Sequence, residues 1–265
     1  MNAPLDVAVA PYVLTHTESG ICRLTLNRGN RYNPLSRDMI AALQSEVTRI
    51  GADPTIRCVV LAAEGKGFCA GHDLKELRAH PELAWQRELF SACNALMVSL
   101  TAMPQPVIAR VHGIATAAGC QLVSMCDLAV AADTARFALP GVNVGVFCTT
   151  PAVGVARNVA RKRTMEMLLT GEPIDAATAL AWGLVNRVVP AAELDAAIAG
   201  FTGVIVTRSA GVIAQGKRAF YRQVELGLTQ AYDFAGSVMA CSLLDADAHE
   251  GIDAFVEKRA PKWGD

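Results

Sequence analysis

The sequence has little net charge of either sign. Lys and Arg together number 24 and Asp and Glu together number 25 in a chain of 265 residues. Proteins that bind nucleic acids usually present an excess of basic side chains to the phosphates, so we predict no nucleic-acid partner. Any anionic ligand would have to be held by a few well-placed cations.

Paired cysteines and long apolar runs are also missing. The eight cysteines include no CxxC pair, and several lie in apolar stretches where a thiol packs as a small hydrophobic group. No stretch reaches about 18 uninterrupted apolar residues, and the N-terminal MNAPLDVAVAPYVL has neither a basic segment nor a long apolar one. We therefore predict a reducing compartment, no membrane partner and a cytoplasmic location.

The first half of the chain alternates short apolar strands with helices. Segments 12–17 and 21–27 predict a hairpin around Ser19-Gly20, and apolar residues recur at helical spacing after Ser36, a good N-cap. Further elements are predicted as strands at 58–63, 107–111, 128–132 and 136–139 and as helices at 82–102 and almost throughout beyond about residue 150.

Two loops of small residues follow predicted buried strands. They are GKGFCAGHDL at 65–74 and GIATAAGCQL at 113–122, and the second also opens a helix. Backbone N–H groups in such loops can point at a ligand oxygen, and two that converge on one carbonyl form an oxyanion hole worth about 3 to 4 kcal/mol per donor. The alternative is tight packing, because Gly and Ala let a helix approach a sheet closely.

Five stretches together match the motifs of one family. They are LTLNRGNRYNPLS (24–36), GKGFCAGHDLKEL (65–77), the long segment from Gln105 to Pro140 that contains HGIATAAGCQL, MEMLLTGEPIDAATALAWGLVNRVVP (165–190) and AFVEKRAPKW (254–263). On these stretches the chain resembles the crotonase superfamily, also called the enoyl-CoA hydratase/isomerase family, over nearly its whole length.

The resemblance implies an α/β fold in which ββα repeats form a spiral. It implies a crotonase spiral core over residues 1–200 and a helical C-terminal trimerisation region over 201–265. It also implies homotrimers, or hexamers made of two trimers, and a coenzyme A thioester as ligand. Coenzyme A would then be part of the substrate, with no other cofactor and no metal.

Carried over by position, the resemblance makes the backbone amides of Ala70 and Ala118 the donors of an oxyanion hole. Gly71 and Gly119 would lie beside them. A thioester carbonyl held there would acidify its α carbon and take up negative charge as an enolate. Because this chemistry uses main-chain atoms, an Ala at position 118, where many relatives have Gly, should not abolish it.

The resemblance also assigns residues to the coenzyme. The stretch 70–73, with His72 and Asp73, would line coenzyme A, and Arg28 or Arg31 would lie near its phosphates. The residues themselves leave other roles open, since His72 could act as a base and Asp73 could cap the helix that follows. Phe255 and Lys258 would reach coenzyme A from a neighbouring subunit, or serve only as an apolar anchor and a solvated cation.

Two glutamates that hydratases of this family use for proton transfer are replaced here, one by Gln121 and one by Gly141. Neither side chain can act as a general acid or base, and such a loss costs about 10² to 10⁴ in rate per group. We therefore predict weak or atypical hydratase activity. Recovery of hydratase activity with glutamates at both positions would show that only the acid–base pair was missing. Gln121 could orient a water molecule or satisfy a nearby backbone group.

Other groups could supply the proton transfer or line the acyl pocket. Cys148 is a conceivable nucleophile, although an apolar setting favours packing, and Glu76 and Glu88 lie on helical stretches after the first loop. The expected apolar lining is Leu139, Val142, Val146 and Phe147.

The sequence leaves three functions to consider. The first is an enoyl-CoA hydratase/isomerase-type enzyme with non-standard acid–base groups, and the second is a catalytically silent acyl-CoA binder that acts as a regulator of lipid metabolism. A serine protease that shares the spiral fold is disfavoured, because no Ser occupies a strand-to-helix elbow with a matching His and Asp.

Overall fold

The computed structural model describes residues 10–264, so the first nine residues of the predicted N-terminal stretch, and Asp265, lie outside the described residues. The strands are β1 (Val13–Glu18), β2 (Ile21–Leu26), β3 (Cys58–Ala63), β4 (Val107–Val111), β5 (Ala115–Thr116), β6 (Leu128–Ala132), β7 (Arg136–Ala138), β8 (Ile174–Asp175) and β9 (Arg187–Val189). The helices are α1 (Arg37–Gly51), α2 (Leu74–Ala79), α3 (Leu83–Ala102), α4 (Ala118–Ser124), α5 (Thr149–Val155), α6 (Arg161–Thr170), α7 (Ala176–Ala181), α8 (Leu194–Ile205), α9 (Ala210–Gln223), α10 (Leu228–Ser242) and α11 (Ala246–Glu257).

The strands form two sheets. The larger has the order β1-β2-β3-β4-β6-β9, with β1 and β2 antiparallel and every later pair parallel. The smaller has the order β5-β7-β8, in which β5 and β7 are parallel. The loops after β3 and β4 therefore leave the same edge of the larger sheet, because neighbouring parallel strands end on the same side.

The hairpin and the helix that follow from the local pattern are confirmed. β1 and β2 pair with Val13 opposite Leu26, and Gly20 at the turn has a φ of +76°, a conformation that glycine adopts without strain. The Ser36 side chain accepts a hydrogen bond from the Met39 amide and caps α1, as predicted.

The apolar runs of the central strands are explained by burial on both faces of the sheet. In β3, Val59 and Leu61 belong to the main core, which includes residues of α1 and α3, whereas Cys58 and Val60 pack with Leu194 of α8 on the opposite face. A strand that is covered on both sides reads as a continuous apolar run.

The last helices include a buried ion pair that ties α9 to the core. The Lys217 ammonium lies 2.7 Å from the Asp127 carboxylate and also donates to the carbonyls of Leu100 and Gln105, and the Tyr221 hydroxyl donates to Asp127. The predicted division between residues 200 and 201 falls inside α8, which packs against the larger sheet. The division into a spiral core and a C-terminal helical region therefore stays a prediction. The contacts of α8 place that helix with the core.

Among residues 10–264, no single helix is long and apolar enough to cross a membrane. Ala191–Ile205 and Ala210–Gln223, which meet at an angle of 104°, reach the required length and composition only when taken together.

Asp195 joins α8 to two strands of the larger sheet and gives a pH-dependent prediction. Its carboxylate accepts hydrogen bonds from Arg110 at 2.7 and 2.8 Å and from Arg23 at 3.1 Å, and Arg110 above all lowers its pKa to about 2. A carboxylate with a lowered folded-state pKa stabilises the protein above its ordinary pKa of 3.8 and loses that contribution as the pH falls towards about 2. We expect Asp195→Asn to melt at a lower temperature than wild type at pH 6, and the difference to vanish by about pH 2 in matched melting curves. A difference that is independent of pH would contradict this account.

Candidate functional site

The two small-residue loops are packed directly against each other. The Thr116 amide donates to the Cys69 carbonyl at 2.9 Å, and the Thr116 hydroxyl donates to the Ala70 carbonyl at 3.0 Å. A Cβ on Gly119 would lie 2.2 Å from the Cys69 carbonyl oxygen, and a Cβ on Gly71, whose φ is +86°, would lie 3.2 Å from the Ala118 nitrogen. Glycine at these two positions is therefore what lets the loops meet.

Ala118 presents an amide without a protein acceptor. It is the first residue of α4, where a backbone N–H has no partner within the helix, and none of the hydrogen bonds within residues 10–264 uses this amide. The preceding residue, Ala117, has φ 48° and ψ −121°, which is the conformation that a type II′ turn usually gives to glycine. The surrounding packing thus holds a strained residue immediately before this amide.

The second predicted donor, Ala70, is already in use. Its amide donates to the carbonyl of Tyr32 at 2.9 Å, and Tyr32 itself has a positive φ of 60°. No local pattern predicts this contact, because it joins loops that are distant in the chain. The expected pair of unpartnered amides is therefore one open donor, at Ala118, beside one that already has an acceptor.

A cavity of about 490 Å³ opens at this place. Its wall contains Ala70 and Ala118, so both predicted donors border it, whereas Gly71 and Gly119 are not among its lining residues. No carboxylate, lysine or arginine from the described residues lines it, and His72 and Cys148 are its titratable members. The remaining lining residues are Ala117, which precedes α4, and residues from α2, α3 and the segment from Pro140 to Pro151: Leu74, Leu77, Gln86, Phe90, Pro140, Gly141, Asn143, Val144, Val146, Phe147, Thr149, Thr150 and Pro151.

The predicted apolar lining is only partly right. Val146 and Phe147 line the cavity, but Leu139 and Val142 do not, because Leu139 is fully buried in the core. Sequence reasoning missed Leu77 and Phe90, which a helical-wheel reading of α2 and α3 cannot assign to one face without knowing where the helices pack.

Gln121 is buried and is not among the residues that line the cavity. Its side chain is 4% exposed, and its Oε1 has no hydrogen-bond partner among the described residues. The alternative in which the Gln121 amide satisfies a nearby backbone group therefore has no support from Oε1, which accepts from no backbone N–H among the described residues. A buried polar atom without a partner costs about 1 to 3 kcal/mol, so Oε1 is an acceptor that the described residues leave open.

Gly141 lines the cavity, and no room exists for a side chain on it. Its amide donates to the Cys148 Sγ at 3.3 Å, and a Cβ would lie 2.7 Å from the Val146 carbonyl and 2.9 Å from that sulfur. Cys148 therefore occupies the space that a glutamate at position 141 would need. Burial raises the pKa of the Cys148 thiol, which favours the unreactive protonated form.

The arginines predicted near phosphates lie at a separate small cavity of about 190 Å³. Arg28 donates to the carbonyls of Ala10, Pro11 and Asn27 and lies over the Tyr12 ring, so its guanidinium is largely satisfied by the protein. Arg31 forms a 2.6 Å ion pair with Asp73, which also caps α2, as predicted, by accepting from two backbone amides. A phosphate would have to displace Asp73 from Arg31.

The remaining candidates lie outside the cavity. Phe255 is 86% exposed on α11, and Lys258 ends that helix with a φ of 56°. Glu76 and Glu88 both accept hydrogen bonds from Arg37. Glu76 accepts from the Arg37 backbone amide at 3.0 Å, and Glu88 accepts from the Arg37 guanidinium at 3.3 Å. Across residues 10–264, no three His, Cys, Asp or Glu side chains come together as a metal site.

Comparison with known sequences identifies the family. The sequence pattern described as enoyl-CoA hydratase/isomerase matches residues 16–265. The chain belongs to the enoyl-CoA hydratase/isomerase family. It is 44% identical to the enoyl-CoA hydratase domain-containing protein 3, mitochondrial, of Xenopus laevis, across 99% of this chain and 90% of that one. Against the Homo sapiens protein of the same name, identity is 43% across 92% of this chain and 80% of that one.

Solved structures confirm the predicted crotonase fold of this family member. A Mycobacterium smegmatis structure described as an enoyl-CoA hydratase superimposes with a TM-score of 0.94 at 52% identity, covering 96% of this chain and 99% of that one. The structure of the human enoyl coenzyme A hydratase domain-containing protein 3 superimposes with a TM-score of 0.93 at 42% identity, covering 95% of this chain and all of that one.

The predicted cytoplasmic location is wrong. Five relatives that are 41 to 44% identical to this member of the enoyl-CoA hydratase/isomerase family are each named mitochondrial. The expectation depended on a missing secretion signal, and the lack of one signal does not identify a destination.

Proposed function

We propose that this protein binds acyl-CoA thioesters in the cavity between the two loops, with the thioester carbonyl at the Ala118 amide. The observation that carries this proposal is an open backbone donor on the wall of a largely apolar cavity, in a member of an enoyl-CoA hydratase/isomerase family. A main-chain donor at a thioester oxygen stabilises the negative charge that develops there in an enolate.

The Ala70 amide would complete the proposed oxyanion hole by exchanging its present acceptor for the thioester oxygen. It borders the same cavity and donates to the Tyr32 carbonyl. A bound thioester oxygen would compete with the Tyr32 carbonyl for the Ala70 N–H or share it. Hydrogen bonds in active sites often reach their final geometry only once the substrate is bound. Gly71 and Gly119 contribute the close approach that keeps residues 70 and 118 together.

The proposed chemistry is enolate stabilisation with weak or atypical hydration. The resemblance implies glutamates at the positions of Gln121 and Gly141, and the cavity wall contains no carboxylate from the described residues to replace them. The second candidate is a catalytically silent acyl-CoA binder. It is favoured by the burial of Cys148, whose raised pKa removes the other evident nucleophile.

The proposal extends to the coenzyme and the assembly. Arg31 would contact a phosphate once released from Asp73. Phe255 and Lys258, which do not line the cavity of their own chain, would serve a neighbouring subunit in a homotrimer or hexamer. The high exposure of Phe255 and Val256 on α11 supports such an interface. The names of the relatives support a mitochondrial location.

Thermal stability in the presence of thioesters tests this function. Butyryl-CoA at a concentration of about 100 times its Kd should stabilise the protein by about 2.7 kcal/mol, which corresponds to a rise in Tm of about 5 °C or more. Crotonyl-CoA should be hydrated about 10² times or more slowly than by a family member with both glutamates. Free CoA and butyrate are the controls. No stabilisation by any thioester would contradict binding, and hydration as fast as by that relative would contradict the assigned acid–base deficit.

A further inference from the structure

The groove between α9 and α10 carries charge of one sign. All the residues that line its cavity of about 310 Å³ come from these two consecutive helices. They include Arg218 and Arg222 of α9, whereas no Asp or Glu from residues 10–264 lines the cavity. The wall of the groove therefore attracts negatively charged groups.

The two guanidinium groups have no carboxylate partner. No ion pair within residues 10–264 includes either of them. The Arg222 Cζ lies 4.4 Å from the centroid of the Phe234 ring, a contact that uses the face of the guanidinium and leaves the N–H groups at its edge available to donate. Like charges four residues apart repel each other on a helix. An anion held between Arg218 and Arg222 would relieve this repulsion.

Apolar side chains line the groove beside the arginines. They are Ala219 of α9 and Phe234 and Val238 of α10. Residues four apart on a helix have their Cβ atoms about 5 to 6 Å apart, so the two arginines can each hold a separate anionic group. A ligand that reaches both arginines therefore needs two anionic groups about one helical turn apart, joined by an apolar link.

We propose that this groove binds a small organic dianion, with one anionic group on Arg218, the other on Arg222 and the carbon link on Ala219 and Val238. A guanidinium donates two parallel N–H bonds to a carboxylate or a phosphate, which makes these groups its best partners. None of the residues of the groove lines the acyl cavity, so this site does not depend on acyl-CoA binding.

The thiol of Cys241 on the same wall reports what the groove holds. It is the exposed cysteine, and the other seven are buried. DTNB is an aromatic disulfide with two carboxylates and therefore itself an organic dianion. The Cys241 thiolate would attack one of its sulfurs, form a mixed disulfide and release the coloured aryl thiolate. Dithiodipyridine undergoes the same exchange without a negative charge on the reagent.

The ratio of the DTNB rate constant to the dithiodipyridine rate constant, at fixed ionic strength, tests the site. It should fall about fivefold in the double variant Arg218→Gln, Arg222→Gln, the factor that two exposed charge pairs provide. Changes in the reactivity of the thiol cancel in this ratio, because both reagents react with the same thiolate. Cys241→Ser should remove the fast reaction with both reagents.

A matched control separates the groove from the net charge of the protein. Arg78→Gln, Arg87→Gln removes the same two charges from exposed positions on α2 and α3 and should keep the ratio within about twofold of wild type. An equal fall in this control would overturn the proposal, because any arginines would then serve. An unchanged ratio in the groove variant would also overturn it.

Competition provides a test on the wild-type protein. Millimolar glutarate, a dicarboxylate, should slow the DTNB reaction more than valerate, the monocarboxylate of the same chain length, and should have no effect on the groove variant. Calorimetric titration with glutarate should give binding heat with wild type and none with the groove variant. Equal effects of glutarate and valerate, or no binding heat with wild type, would overturn the proposal.

Discussion

Replacing Gly119 by alanine should lower the free energy of unfolding by more than about 3 kcal/mol and abolish thioester binding. The added Cβ would lie 2.2 Å from the Cys69 carbonyl oxygen and 2.8 Å from both the Cys69 carbonyl carbon and Cβ, so backbone must move to admit it. Overpacking against backbone belongs to the costliest class of single substitutions. Separation of the loops would also move the Ala118 amide away from residue 70. Urea unfolding and titration with butyryl-CoA measure the two effects.

Gly236→Ala is the matched control. Gly236 lies within α10, and a Cβ there would meet nothing within 4 Å. Replacing this glycine by alanine should therefore raise the free energy of unfolding by about 0.5 to 1 kcal/mol, because alanine is the better helix former. If Gly119→Ala is as stable as wild type and binds butyryl-CoA normally, the close approach of the two loops is not what forms the site.

The double variant Gln121→Glu, Gly141→Glu should not become a hydratase. One working acid–base group contributes about 10² to 10⁴ in rate. The side chain at 141 has no room, because its Cβ would lie 2.7 Å from the Val146 carbonyl, and residue 121 is not among those that line the cavity. We expect crotonyl-CoA hydration within about tenfold of wild type, and a loss of stability of about 3 kcal/mol.

Two single variants identify the cause of that result. Since the clash begins at Cβ, Gly141→Ala should lose nearly as much stability as Gly141→Glu, as measured by urea unfolding. Gln121→Glu alone should fold but remain inactive. A gain in hydration of about 10² or more in the double variant would show that the cavity can rearrange around position 141 and that only the acid–base pair was missing.

Local patterns predicted most of the fold. The turn at Gly20, the Ser36 cap and the apolar runs of β3 and β4 each depend on residues within a few positions of one another, and the structure has them where they were expected. Tertiary packing decided the rest. The same spacing that predicts an apolar helix over α3 does not reveal that Phe90 lines a cavity, because the partner surface comes from residues 140–151.

The site was less predictable for the same physical reason. The family motifs predicted that residues 70 and 118 would share a site. No local pattern indicates that the Tyr32 carbonyl accepts from the Ala70 amide or that Cys148 fills the space beside Gly141. The strained Ala117 is also invisible in the sequence, since a φ of 48° at an alanine is imposed by its surroundings. Such contacts join segments that are distant in the chain.

Infrared spectroscopy of a bound thioester labelled with ¹³C at its carbonyl tests the central claim most directly. A saturated ligand, butyryl-CoA, avoids turnover, and the labelled C=O stretch separates from the amide bands of the protein. If backbone donors at Ala118 and Ala70 polarise this carbonyl, its stretch should move to lower frequency than that of the same ligand in water. A stretch at the same or higher frequency would show that the carbonyl is bound without these donors and would contradict the account.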